Sequence, residues 1–231
     1  MQIEPSENAF AQLYARGEPQ VVWTTLVADL ETPVSAFLKI GDGKPMSFLL
    51  ESVEGGAVRG RYSIIGLDPD LIWRAQGSRA EINRTVCTDP AIFHPCPQPP
   101  LEALRALIAE SRIALPETLP PMAAGVFGYL GYDMVRLMEE LPAPNTDPIG
   151  IPDAVLIRPT LVVVFDAIKD TITVVTPVRP APGIDAKAAL AQAVARLTAI
   201  VESLDRPFDK DRKSTRLNSS HIQKSRMPSS A

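Results

Sequence analysis

The stretch "DAVLIRPTLVVVFDAIKDTITVVTPV", running from Asp153 to Val178, leaves the chain the least conformational freedom. Two runs of Val, Ile, Leu and Thr are joined by the four residues "AIKD". β-Branched side chains lose rotamer freedom in helices and pack well on a pleated sheet. Two such runs with so short a connection predict an antiparallel hairpin. The same reading predicts a strand at Val21 to Ala28, "VVWTTLVA", bounded by Pro19 and Asp29. Four more strands are expected at Ser47 to Ser52, Arg61 to Leu67, Leu71 to Gln76 and Ala80 to Thr85. The turns "EGG", "LDPD" and "QGS" separate them at hairpin spacing.

Helices fall between these strands rather than alternating with them. "SENAFAQLYARG" places Phe10, Leu13 and Tyr14 on one side of a short helix begun near Ser6. Thr32 followed by Pro33 reads as a helix start, with the hydroxyl as N-cap and proline in the first turn. A helix from Leu101 to about Ala114 puts Leu101, Leu104, Leu107 and Ile108 on one face. "DAKAALAQAVARLTAIVESL" reads as an alanine-rich closing helix. The fold class expected is α+β, with mostly antiparallel sheets and interspersed helices, and not a doubly wound parallel sheet.

From Asp211 onward, "DRKSTRLNSSHIQKSRMPSSA" shows no hydrophobic period, and Asp211 to His221 resembles a translated sequencing-library adapter. Residues 1–210 are therefore expected to be the native domain and 211–231 a non-native, disordered tail. Setting the tail aside removes five Lys/Arg and one Asp, which takes the formal charge from −4 to −8. An acidic chain without a basic patch does not suit nucleic acid, and no apolar run is long enough to span a bilayer. The start, "MQIEPSENAF", lacks the basic and apolar regions of a secretory signal, so a cytoplasmic location is expected.

Catalytic constellations are missing from the pattern. Gly125, Gly128 and Gly131 do not follow the order of a dinucleotide fingerprint, and close packing of a strand under a helix is expected there. Cys87, His94 and Cys96 match no zinc spacing, so no metal site is expected. His94, the single histidine outside the tail, leaves no serine or cysteine triad. Asp133, Glu139 and Glu140 read as solvated surface. What remains is "FLLESVEGG", Phe48 to Gly56: an apolar run that ends on Glu51 and Ser52. Side chains of a regular strand alternate between faces, so both can serve one ligand only if the strand ends or bulges there. The next strand, "GRYSIIG", is expected to bring Arg61 and Tyr62 beside them. A carboxylate, a hydroxyl, a phenol and a guanidinium suit a zwitterion such as an amino acid, whose ammonium needs a carboxylate partner.

"TPVSAFLKI", "SFLLESVEGGAVRGRYSIIGLDPDL", "GVFGYLGYDMVRLMEELP" and "IPDAVLIRPTLVVVFDAIKD" stand in an order and spacing that resembles the N-terminal region of anthranilate synthase component I. The resemblance covers about residues 10 to 205. It implies a fragment of a Mg2+-dependent lyase that converts chorismate to anthranilate, with ammonia from a glutamine amidotransferase partner. It also implies that the catalytic and metal ligands lie in a C-terminal domain outside this chain, which leaves the chain inactive alone. The effector site that the resemblance carries over, for L-tryptophan, is Ser52 with Glu51 beside it and Tyr62 as a further contact. Two other readings stand beside it: an aminodeoxychorismate synthase component I fragment, or a free-standing amino-acid-binding regulatory module.

Overall fold

A computed structural model of the chain describes residues 1–54, 58–142 and 147–207, and at 52–54 and 58–59 it describes the backbone alone. The expected tail, 211–231, lies outside the described residues. In chain order come helix α1 (Glu7–Ala15), strand β1 (Gln20–Val27), helix α2 (Pro33–Ile40), strands β2 (Phe48–Glu54), β3 (Val58–Gln76), β4 (Arg79–Asn83) and β5 (His94–Pro95), helix α3 (Pro100–Ser111), strands β6 (Phe127–Leu130), β7 (Ala154–Asp166) and β8 (Thr171–Val178), and helix α4 (Ala186–Asp205). Every pairing among these strands is antiparallel. The class is α+β, as the sequence leads one to expect.

The helix starts form for the reasons the sequence supplies. Ser6 Oγ accepts from Ala9 N, and Asp185 accepts from Ala188 N at 2.7 Å. Thr32 and Ser35 exchange side-chain bonds with each other's backbone N–H, a reciprocal cap at the start of α2. The β7–β8 hairpin closes at Asp166 opposite Thr171.

One expectation fails at "LDPD". It is not a turn between two strands but a kink inside a single 19-residue strand, β3. Pro69 faces Pro159 of β7, and the register slips between Pro69 and Leu71. Neither proline has an N–H to give to the ladder, so the break is shared between partners instead of being left on one strand. Asp68 just before it takes a φ of 50°. Its carbonyl accepts from Thr160 Oγ1 at 2.6 Å.

The kink divides the sheet into two halves that share β3 and β7. On one side the order is β1, β8, β7, β3, β2; on the other it is β6, β7, β3, β4, β5. Helices α1, α2 and α4 cover the first half, in a core that includes Phe10, Val22, Ile65, Val163 and Leu197. Helix α3 covers the second, over Leu71, Trp73 and Leu156. Each such side chain contributes about 1.5–3 kcal/mol on burial. The face of α3 differs from the expected one: Pro100, Ala103, Leu107 and Ser111 are buried, whereas Ile108 points outward. Among the described residues no helix is long and apolar enough to cross a membrane.

Gly128 also corrects its expectation. Its neighbour is strand β7, not a helix: a Cβ added there would lie 1.9 Å from the carbonyl oxygen of Val155, and its φ is 154°. The segment after it is a 3-10 turn, Tyr132–Leu137. Gly128→Ala should therefore destabilise the chain by about 1–3 kcal/mol, read as a lower midpoint in urea unfolding; an unchanged midpoint contradicts this packing.

Candidate functional site

The end of β2 is positioned by one aromatic contact. Phe48 pairs with Gly66 of β3 and lays its ring where a Gly66 side chain would stand, 2.3 Å from an ideal Cβ. The ring also meets Phe127 of β6, with centroids 5.0 Å apart. From this anchor the register runs to Glu51 opposite Ser63, and then slips between Glu51 and Val53. Ser52 stands at that slip, alone in β2 against Gly60, Arg61 and Tyr62 of β3, so the extra residues of the bulge belong to β3 and not, as expected, to β2. The Ser52 side chain itself lies outside the described residues.

Glu51 is exposed and lines a cleft of 410 Å3 between the sheet and the start of α2. Ser63, Arg61 and Asp166 come to it from the sheet, and Glu31 and Thr32 from the α2 side. Arg61 Nε donates to Asp166 Oδ1 at 3.1 Å and its Nη2 to Oδ2 at 2.8 Å. Two backbone N–H groups, of Ile168 and Lys169, also donate to Oδ1. The Arg61 bond, helped by those amides, holds the Asp166 carboxyl below its ordinary range. The same bond raises the Arg61 guanidinium above its own. Glu31 is paired with Lys39, which also donates to the Leu204 carbonyl at 2.7 Å. Among the described residues Glu51 has no ion pair.

Tyr62 is not brought into this cleft. Glu51 and Ser63 share the helix-covered face of the sheet, and Tyr62, one residue earlier, points to the other. There it lines a separate 430 Å3 pocket with Trp23, Thr25 and Thr173. The Arg61–Asp166 pair borders both spaces and divides them, with the Arg61 guanidinium carbon 4.8 Å from the Tyr62 ring centre. Sequence reasoning missed Ser63, Asp166 and Glu31. For Ser63 the signal was available: in an antiparallel hairpin with Glu51, the parity of "GRYS" fixes which residue shares its face.

An acidic side chain without a partner favours a cation such as an ammonium, and the adjacent guanidinium favours an anion. Val34 on the cleft wall is exposed, and so are Val27, Leu30 and Ile168, which adjoin the wall residues Ala28, Glu31 and Ala167 in sequence. Among the described residues no group of three or more His, Cys, Asp or Glu side chains could hold a metal ion. These side chains do not fit a Mg2+ site.

No protein-family model matches the chain. It is 51% identical over 201 residues to the anthranilate synthase component 1 of Cereibacter sphaeroides, which takes in 87% of this chain and 40% of that protein. The Thermus thermophilus protein of the same name is 39% identical over 159 residues, 67% of this chain and 31% of that one. The Synechocystis protein is 34% identical over 211 residues, 89% and 40% respectively. The chain thus spans at most about two fifths of these relatives' length. In fold it is similar to the crystal structure of anthranilate synthase component I from Streptococcus pneumoniae, with a TM-score of 0.50 and 23% identity over 79% of this chain and 37% of that one.

The depressed Asp166 carboxyl makes a signed prediction. Its contribution to stability is present above the unfolded carboxylate value, about 3.9, and is lost as pH falls through the lower folded value. Denaturant unfolding of the wild type and Asp166→Asn should differ at pH 7, with the wild type more stable. The gap should close towards pH 2; a gap that is constant with pH contradicts the pairing.

Proposed function

The chain carries the N-terminal region of the anthranilate synthase component I family, and on that premise we propose that it is the regulatory portion of an enzyme that makes anthranilate from chorismate in tryptophan biosynthesis. In this reading the complete protein takes ammonia from a glutamine amidotransferase, component II. It works in the cytoplasm as a lyase. The residues that act on chorismate and hold Mg2+ belong to the part of the protein beyond this chain, which is inactive alone.

The role proposed for this portion is half of a pocket for free L-tryptophan. The observation that carries it is the placement of Glu51 on a cleft edge, beside the register slip between β2 and β3, without an ion pair among the described residues. Glu51 takes the effector's ammonium, and Ser52 at the slipped position takes its carboxylate. Tyr62 reaches such a ligand only over the Arg61–Asp166 edge, where the two spaces meet. The exposed apolar side chains around the cleft are surface for the remainder of the protein to cover, closing the pocket over the indole.

Feedback follows if tryptophan contacts two arrangements of the complete enzyme differently. Couplings of this kind are typically about 5- to 150-fold in affinity. In the complete enzyme, Ser52→Phe should raise the tryptophan concentration for half-inhibition by about 10-fold or more on that scale, measured as anthranilate formation against added tryptophan. Retained inhibition with unchanged tryptophan affinity contradicts the assignment.

A further inference from the structure

A second feature lies away from the Glu51 cleft, where the end of β8 meets α4. A crevice of 190 Å3 there is lined by Arg179, Arg196, Gln192, Asp70, Tyr14 and Thr160 among others. Both arginines are half-buried, and among the described residues neither forms an ion pair. Arg179 Nη2 donates to the Ser111 carbonyl at 3.2 Å, while its buried Nε has no partner among the described residues. Arg196 Nε donates to Thr176 Oγ1 at 2.9 Å.

Apart from Gln192, the other polar side chains named on the crevice are already engaged. Thr176 Oγ1 donates to the Thr160 carbonyl, and Thr160 Oγ1 donates to the Asp68 carbonyl. Tyr14 Oη donates to the Ile184 carbonyl at 3.0 Å. The one carboxylate on the wall, Asp70, is spent in a bidentate pair with Arg158 at 2.8 and 3.0 Å. What the crevice offers is therefore guanidinium N–H donors with no acceptor to match them. Burial pulls both guanidinium groups below their ordinary values; for Arg179 the neighbouring Arg158 charge adds to this, while Asp70 and Glu110 partly offset it. Arg196 has no ion-pair partner among the described residues, and the carboxylates near Arg179, Asp70 and Glu110, are already paired with Arg158 and Arg84. Two such desolvated cations are costly, and an oxyanion placed between them lowers that cost while satisfying the buried N–H.

We propose that Arg179 and Arg196 form a binding site for a small oxyanion, a phosphate or carboxylate group, in the crevice between β8 and α4. Planar guanidinium forks match either group, and the volume admits one such group but not a nucleotide.

The test uses the 231-residue chain with 15N-labelled arginine, following the Arg Nε–H signals while inorganic phosphate or acetate is added against chloride at matched ionic strength. The Arg179 and Arg196 signals should shift saturably. The unfolding midpoint should rise by about 3 °C at roughly tenfold excess over Kd, and Arg196→Gln should lose both effects. Arg179→Lys serves as a second variant, which keeps the charge but loses the fork, and should weaken binding several-fold. A larger response to phosphate assigns a phosphoryl ligand, and a larger response to acetate assigns a carboxylate. If neither anion moves the two signals beyond chloride, or if Arg196→Gln responds like the wild type, the proposal is overturned.

Discussion

Two prolines facing each other across a ladder organise this molecule. Pro69 and Pro159 interrupt β3 and β7 at the same level, so the two longest strands bend together and stay paired on both sides of the break. Arg158, next to Pro159 and almost fully buried, spans the bend. It holds Asp70 through two hydrogen bonds and reaches Glu110 and Ser111 of α3 at 3.4 Å each. A buried guanidinium left without these acceptors would be strongly destabilising, which ties the kink to the helix that covers the second half-sheet. Each half can then own a separate core while the backbone ladder continues between them.

The candidate site inherits its geometry from that arrangement. β2 and β8 flank the N-terminal half of β3 and the C-terminal half of β7, and both ladders run out at the same edge, where Glu51, Ser63 and Asp166 come together. Arg61 is held at this edge by Asp166, so the cleft on one face and the Tyr62 pocket on the other have a fixed partition. Phe48 seated on Gly66 sets how far along the edge Glu51 stands. The polar character of the cleft is thus a by-product of strand ends: polar groups appear where the ladder stops needing apolar ones.

Much of the fold was legible because local chemistry agreed with the tertiary outcome. The β7–β8 hairpin and the caps at Ser6, Thr32 and Asp185 each follow from a few neighbouring residues. The failures have a common cause: they depended on what lies opposite. "LDPD" carries every mark of a turn, and only a second proline in the partner strand makes a kink the better solution. Ile108 fits a helical stripe, yet α3 turns Ala103 and Ser111 inward, where Ser111 Oγ accepts from Arg158 at 3.4 Å. Tyr62 is close to Glu51 along the chain, but strand parity sends it through the sheet to the other face. Sequence spacing gives distance along an element; the face it presents is decided by its partner.

Glu51, beside the register slip at the end of β2, is proposed to receive the ammonium of a free amino acid. A crystal structure of the complete protein grown with L-tryptophan addresses it most directly. The expected result is the ligand's ammonium nitrogen within about 3 Å of a Glu51 carboxylate oxygen, with its indole closed over by residues from beyond this chain. Tryptophan bound elsewhere, with Glu51 turned to solvent, contradicts it.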